Sequence, residues 1–188
     1  MRGRFRPHWV VLGLGVPLIA GQALAADTYT ANARFTNAEG ERVTTPVTIS
    51  LDGVTAETER ATLVEQAKTK PEAAKELLAG QKQIGYIEAV NRRVPIKYAY
   101  VQAGGDGQFI TVLSDEPLGY IGGDEKYAKA KGGFDLTYAN VMVNASGQGR
   151  GELAPACKVK FMKSGAPAVD DYGSQVVWLD DVKKAAAP

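Results

Sequence analysis

Apolar and polar residues alternate at every second position over much of this chain, and a two-residue period predicts strands. Thr28 to Thr36 and Val43 to Leu51 make the first pair, joined by the turn residues Asn37-Ala38-Glu39-Gly40. In the second run Val47, Ile49 and Leu51 share one face, Thr48 and Ser50 take the other, and Asp52-Gly53 ends it. Further runs follow at Ile84 to Val90, Pro95 to Val101 and Gln108 to Leu113, the last two joined by Gly104-Gly105-Asp106-Gly107 as a hairpin loop. After Pro117 a short piece, Leu118 to Ile121, ends at Gly122-Gly123, and Asp124 to Lys131 reads as one helical turn. Phe134 to Asn144 and Leu153 to Met162 form the longest candidate hairpin, and Gln175 to Leu179 is a final strand.

Between the second and third runs the period lengthens to that of a helix. From Ala56 to Ala79 one narrow stripe carries Leu63, Val64 and Ala67, and a second carries Ala73, Ala74, Leu77 and Leu78. Thr55 is placed to cap the first helix, Glu57 and Glu59 suit its dipole, Pro71 suits the first turn of the second, and Gly80 stops it. Helices with one narrow apolar stripe each pack on a sheet face. Strands this closely spaced pair mainly antiparallel, because parallel neighbours need longer crossovers. The pattern predicts one α+β domain over 27–182, a curved and barrel-like antiparallel sheet of about seven or eight strands with the helix pair packed on it. Residues 183–188 form an Ala/Pro-rich tail.

The first 26 residues follow a different logic. Arg2, Arg4 and Arg6 precede an apolar run from Trp9 to Ala20, and Ala23-Leu24-Ala25 supplies small residues for cleavage. This is the three-part order of a secretory signal peptide cleaved near Ala25 or Ala26, which places the mature protein in the periplasm or outside the cell. The run is too short, and too rich in Gly13, Gly15 and Pro17, to serve as a membrane anchor of roughly 20 residues.

Cleavage also changes the chemistry. The chain has 22 basic and 21 acidic residues; the leader removes three arginines and no acid, leaving a net charge of −2. Such a domain has no electrostatic footprint for nucleic acid. The single histidine, His8, lies in the leader. Without it the mature protein lacks imidazole acid–base catalysis, Ser-His-Asp and Cys-His nucleophiles, and the usual zinc ligands. No cofactor or metal motif is present, the calcium-loop spacing included. Cys157 is the only cysteine, so no internal disulfide forms; its alternation with Lys158, Val159, Lys160 and Phe161 places it on an apolar strand face as a small hydrophobe.

Gly147-Gln148-Gly149-Arg150-Gly151 lacks phosphate-loop spacing and reads as a hairpin loop that needs φ > 0. Asn144-Ala145-Ser146 meets the N-glycosylation pattern and carries no weight in a bacterial-type protein. The acidic doublets Asp115-Glu116, Asp124-Glu125, Asp170-Asp171 and Asp180-Asp181 read as solvated charges, since neighbouring strand residues point to opposite faces. Tyrosines are the remaining lead. Tyr98 and Tyr100 share a strand face and Tyr86, Tyr120 and Tyr138 lie in other strands, so a shared aromatic face could stack a sugar or hold an apolar ligand. Ordinary sheet packing, with hydroxyls reaching the surface, is the favoured reading of them.

Glu59, Leu63, Leu77-Leu78, Gly85-Tyr86-Ile87, Tyr98-Ala99, the segment Ile110 to Pro117 and the Gly-rich stretch from Gly147 to Leu153 together resemble a group of uncharacterised secreted bacterial proteins. The chain departs from them at Asp115-Glu116-Pro117, where the group usually has a basic residue before the proline. The resemblance covers most of the mature chain and implies a secreted domain of shared architecture, with no activity to carry over. The expected function is therefore a non-catalytic binding or interaction protein that uses the concave sheet face or an edge, its partner a small apolar ligand, a saccharide or a protein. The alternatives are a histidine-free hydrolase with paired carboxylates or a Ser/Lys system, and an envelope structural or inhibitory protein.

Overall fold

The computed structural model describes residues 27–36, 40–70, 73–119, 121, 132–162, 164–172 and 176–185. The predicted leader over residues 1–26, Tyr120, the predicted helical turn from Asp124 to Lys131, and Pro71 lie outside the described residues. The alternating segments become β1 (Asp27–Thr36), β2 (Arg42–Leu51), β3 (Gly85–Ala89), β4 (Arg92–Pro95), β5 (Tyr98–Gly104), β6 (Gly107–Ser114), β7 (Leu136–Asn144), β8 (Gln148–Phe161), β9 (Pro167–Asp171) and β10 (Val177–Lys184). Two helices, α1 (Glu57–Thr69) and α2 (Ala74–Ala79), lie between β2 and β3. The strand order is β4-β3-β2-β1-β10-β8-β7-β6-β5, with β9 paired to β8 beside that path.

The curved antiparallel sheet with a helix pair is as the period predicts, but the sheet is larger than seven or eight strands. One apolar run, Pro95 to Val101, is shared between β4 and β5 because the chain changes partner there. Ile84 N–H donates to the Ile96 carbonyl and Ile96 N–H to that of Gly85, each at 2.9 Å, while Lys97 N–H donates to the Leu113 carbonyl on the other side, also at 2.9 Å. The stretch from Arg92 to Gly104 thus supplies both ends of the sheet and bends it into a half-barrel. β9, only five residues long, has too little alternation to be seen in advance. β10 runs to Lys184, two residues into the segment read as tail, and Ala185 N–H donates to the Thr28 carbonyl at 2.7 Å.

Two cores follow from the two sheet faces. The inner face is filled by aliphatic side chains such as Ile49, Ile87, Ile110, Val141, Leu153 and Leu179, all almost fully buried. Burying each contributes roughly 1.5–3 kcal/mol. Part of the outer face, over β5 to β8, is covered by the helices: Leu63, Ala74 and Leu78 pack on Tyr98, Leu113, Leu136, Tyr138, Cys157 and Val159. Thr55 does not cap α1; its hydroxyl accepts the Ala99 N–H at 2.9 Å, tying the chain to β5 just before the helix begins.

The Gly-rich stretch is only partly a loop. Gly147, at φ +74°, makes the turn, and Asn144 Oδ1 accepts from the N–H groups of Ser146 and Gln148 at 3.0 Å each. Gly149 and Gly151 are already inside β8, where an added Cβ would strike the carbonyl oxygens of Met142 and Asn140 on β7. They are glycines because two backbones meet closely there.

Candidate interaction site

The four described tyrosines of the predicted set, Tyr86, Tyr98, Tyr100 and Tyr138, face outward, away from the concave side. Tyr98 and Tyr138 are 0% and 4% exposed, so they are core residues beneath the helices rather than a free surface. The Tyr98 hydroxyl donates to the Gly165 carbonyl at 2.7 Å, and its ring packs edge-on against Phe161 at 5.6 Å. The Tyr138 hydroxyl accepts from Asn140 Nδ2 at 3.2 Å, and burial pushes its phenol up to about 12. Tyr100 joins the same cluster, half-buried, with the Arg60 guanidinium 4.6 Å above its ring. Tyr86 stands apart and is stacked by Arg93 at 3.9 Å. Of the four described, the structure therefore brings three together, as packing.

Nor, among the described residues, does the inner face offer much room. At the end lined by Tyr29, Leu51, Val54, Val101 and Gln108 the cavity is about 30 Å³, the space of one water. Asp27 and Gln108 both bond the Tyr29 hydroxyl there, at 3.3 and 3.4 Å. Cys157 is completely buried, and burial pushes its thiol up to about 12, far from a reactive thiolate.

Two of the acidic doublets are held residue by residue, Asp115 Oδ1 is buried without a hydrogen-bond partner among the described residues, and Asp124-Glu125 lies outside them. Asp170 pairs with Lys160 at 2.9 Å. Asp180 and Asp181 break the expected opposition of faces, because a β-bulge with Asp181 at φ +52° turns both toward one side. Asp180 accepts from Arg34 Nε at 2.5 Å and Asp181 from Asn32 Nδ2 at 3.4 Å, and Asn32 and Arg34 share the outer face of β1. Arg34 beside Asp180 holds that carboxyl below its usual range. A groove of about 420 Å³ between α2 and β8 contains charges that are already opposed, Lys75 with Asp135 and Lys160 with Asp170.

Among the described residues, the outer face that the helices leave bare is also open. Cross-strand register sets Phe109, Met142 and Arg150 side by side on β6, β7 and β8. The next outward row places Asn140, Glu152, Trp178 and Arg34 in line across β7, β8, β10 and β1. These residues line a groove of about 320 Å³. Trp178 is 51% exposed, and Phe109 and Met142 are each 39% exposed. Large apolar side chains grouped in this way mark interaction surfaces, whereas scattered ones do not. Glu152 lies against Tyr172, whose phenol is raised by burial and then by that carboxylate. Arg150 has no ion-pair partner among the described residues.

Sequence reasoning passed over these residues, although a signal was present. Ile110, Val112, Val141, Val143, Val177 and Leu179 fill the inner face, so Phe109, Met142 and Trp178 occupy positions whose parity should be polar. An apolar residue on the wrong parity in three strands is legible once the partners are known. Comparison of the chain with protein-family models, with curated proteins and with solved structures finds no match.

Proposed function

We propose that this chain is an exported, non-catalytic binding domain that works through the bare outer face of β6, β7, β8 and β10. The observation that carries this reading is the exposed set Phe109, Met142 and Trp178 around one groove, with Arg150 among them. Tryptophan, methionine and arginine are the residues that interfaces concentrate. The leader and the resemblance to secreted bacterial proteins support export, and the loss of His8 with the leader supports a role without imidazole chemistry.

Oxidative footprinting tests the reading. Purified dilute protein and the same protein in extract of the exporting compartment are exposed to hydroxyl radical, and peptides are compared. Trp178 and Met142 should be protected several-fold in the extract, while Met162, 48% exposed and off the face, should oxidise equally in both. Equal oxidation of all three residues, both in extract and in purified protein that is concentrated rather than dilute, sinks the proposal.

A further inference from the structure

The outer face has a charge pattern that suits a second copy of itself. Arg150 and Glu152 are next-but-one neighbours on β8 and project from the same side of the sheet. A twofold axis perpendicular to the strands and passing between them would set Arg150 of each copy opposite Glu152 of the other. One rotation therefore makes two contacts between opposite charges, as an isologous interface requires. It also lays each Met142 over the other copy's Asn140, which is directly opposite Glu152. The four charged residues lining the groove, Arg34, Arg150, Glu152 and Asp180, balance to zero, so two copies meet without net repulsion. Arg34 and Asp180 already neutralise each other, and Arg150 is the cation left to be answered.

We infer that this face is the interface of a symmetric homodimer, in which Arg150 pairs with Glu152 of the second copy and Trp178, Phe109 and Met142 are covered. The inference rests on the proposed role of this face and names the partner as the chain itself. The two copies' strands then run nearly aligned in a sheet-on-sheet contact, with Trp178 beside the twofold axis on the strand next to β8.

Charge reversal tests it by sedimentation equilibrium on the purified protein, with circular dichroism to verify the fold of each variant. Wild type should self-associate. Arg150→Glu and Glu152→Arg should each weaken that association by about 100-fold, since each dimer then holds two like-charge contacts at about tenfold apiece. The double variant Arg150→Glu/Glu152→Arg should recover it, and an equal mixture of the two single variants should form heterodimers. A monomeric wild type, or single reversals without effect, overturns the dimer. So does a double variant no better than the singles. A monomer whose Trp178 and Met142 are nonetheless protected in extract would overturn the dimer while leaving the binding face standing.

Discussion

Cys157 shows how environment decides what a residue can do. Its thiol sits on the outer face of β8 under the helix pair, completely buried, and desolvation penalises the thiolate. The same penalty acts on the Tyr138 phenol. Both groups have folded-state values raised above their unfolded ones, so their stabilising effect is complete below about 9, the ordinary thiol value, and is lost as pH climbs through about 12. The expected outcome is a urea midpoint that is flat near neutrality and falls between about pH 9 and about pH 12, by on the order of a few kcal/mol in stability. A Cys157→Ala variant should show a shallower fall. A thiol reagent that modifies the native protein rapidly at pH 8 would contradict this burial argument. The alternation of Cys157 with two lysines was enough to place it on an apolar face, because a strand's period is set by the backbone alone. The tyrosines were less legible, since alternation gives a face but not what covers it.

At the scale of elements, the hairpin between β3 and β4 is the clearest mismatch between sequence and conformation. Ala89 pairs with Arg92, leaving Val90 and Asn91 as a two-residue turn, and Val90 takes φ +57°. A β-branched residue in the left-handed region costs about 1–2 kcal/mol. The apolar run from Ile84 had placed Val90 in the strand, because valine favours strands and carries no turn signal. Val90 is 46% exposed, so little packing is at stake. Val90→Gly, the residue preferred at the first position of such a turn, should raise stability by about 1 kcal/mol and Tm by about 2–4 °C. Thermal denaturation followed by circular dichroism checks this, and an unchanged or lower Tm would show that the turn carries no strain. The helices behaved more simply. Of their stripes, Leu63, Val64, Ala67, Ala74 and Leu78 are buried and Ala73 and Leu77 are half-buried, since a narrow apolar stripe admits one orientation on a sheet.

Across the whole molecule, the first and last strands are neighbours: β1 pairs with β10 from Tyr29 opposite Lys184 to Arg34 opposite Trp178. β10 also joins β1 to β8, so removing it would open the sheet between its two halves and expose the inner core. A chain ending before Val177 should lose its cooperative thermal transition and bind a hydrophobic dye; a retained sharp transition would refute this linkage. The sequence alone determined the α+β class, the helix pair, most strand positions and the burial of Cys157, because all of these follow from backbone period and side-chain polarity over short spans. The order of charge, apolar run and small residues over residues 1–26 is equally local, and it carries the proposal of export. Only the tertiary structure decided which strands became neighbours, that one run of chain would serve both ends of the sheet, and that Phe109, Met142, Arg150 and Trp178 would meet on one face. Register across strands is set by long-range pairing, and no local pattern contains it.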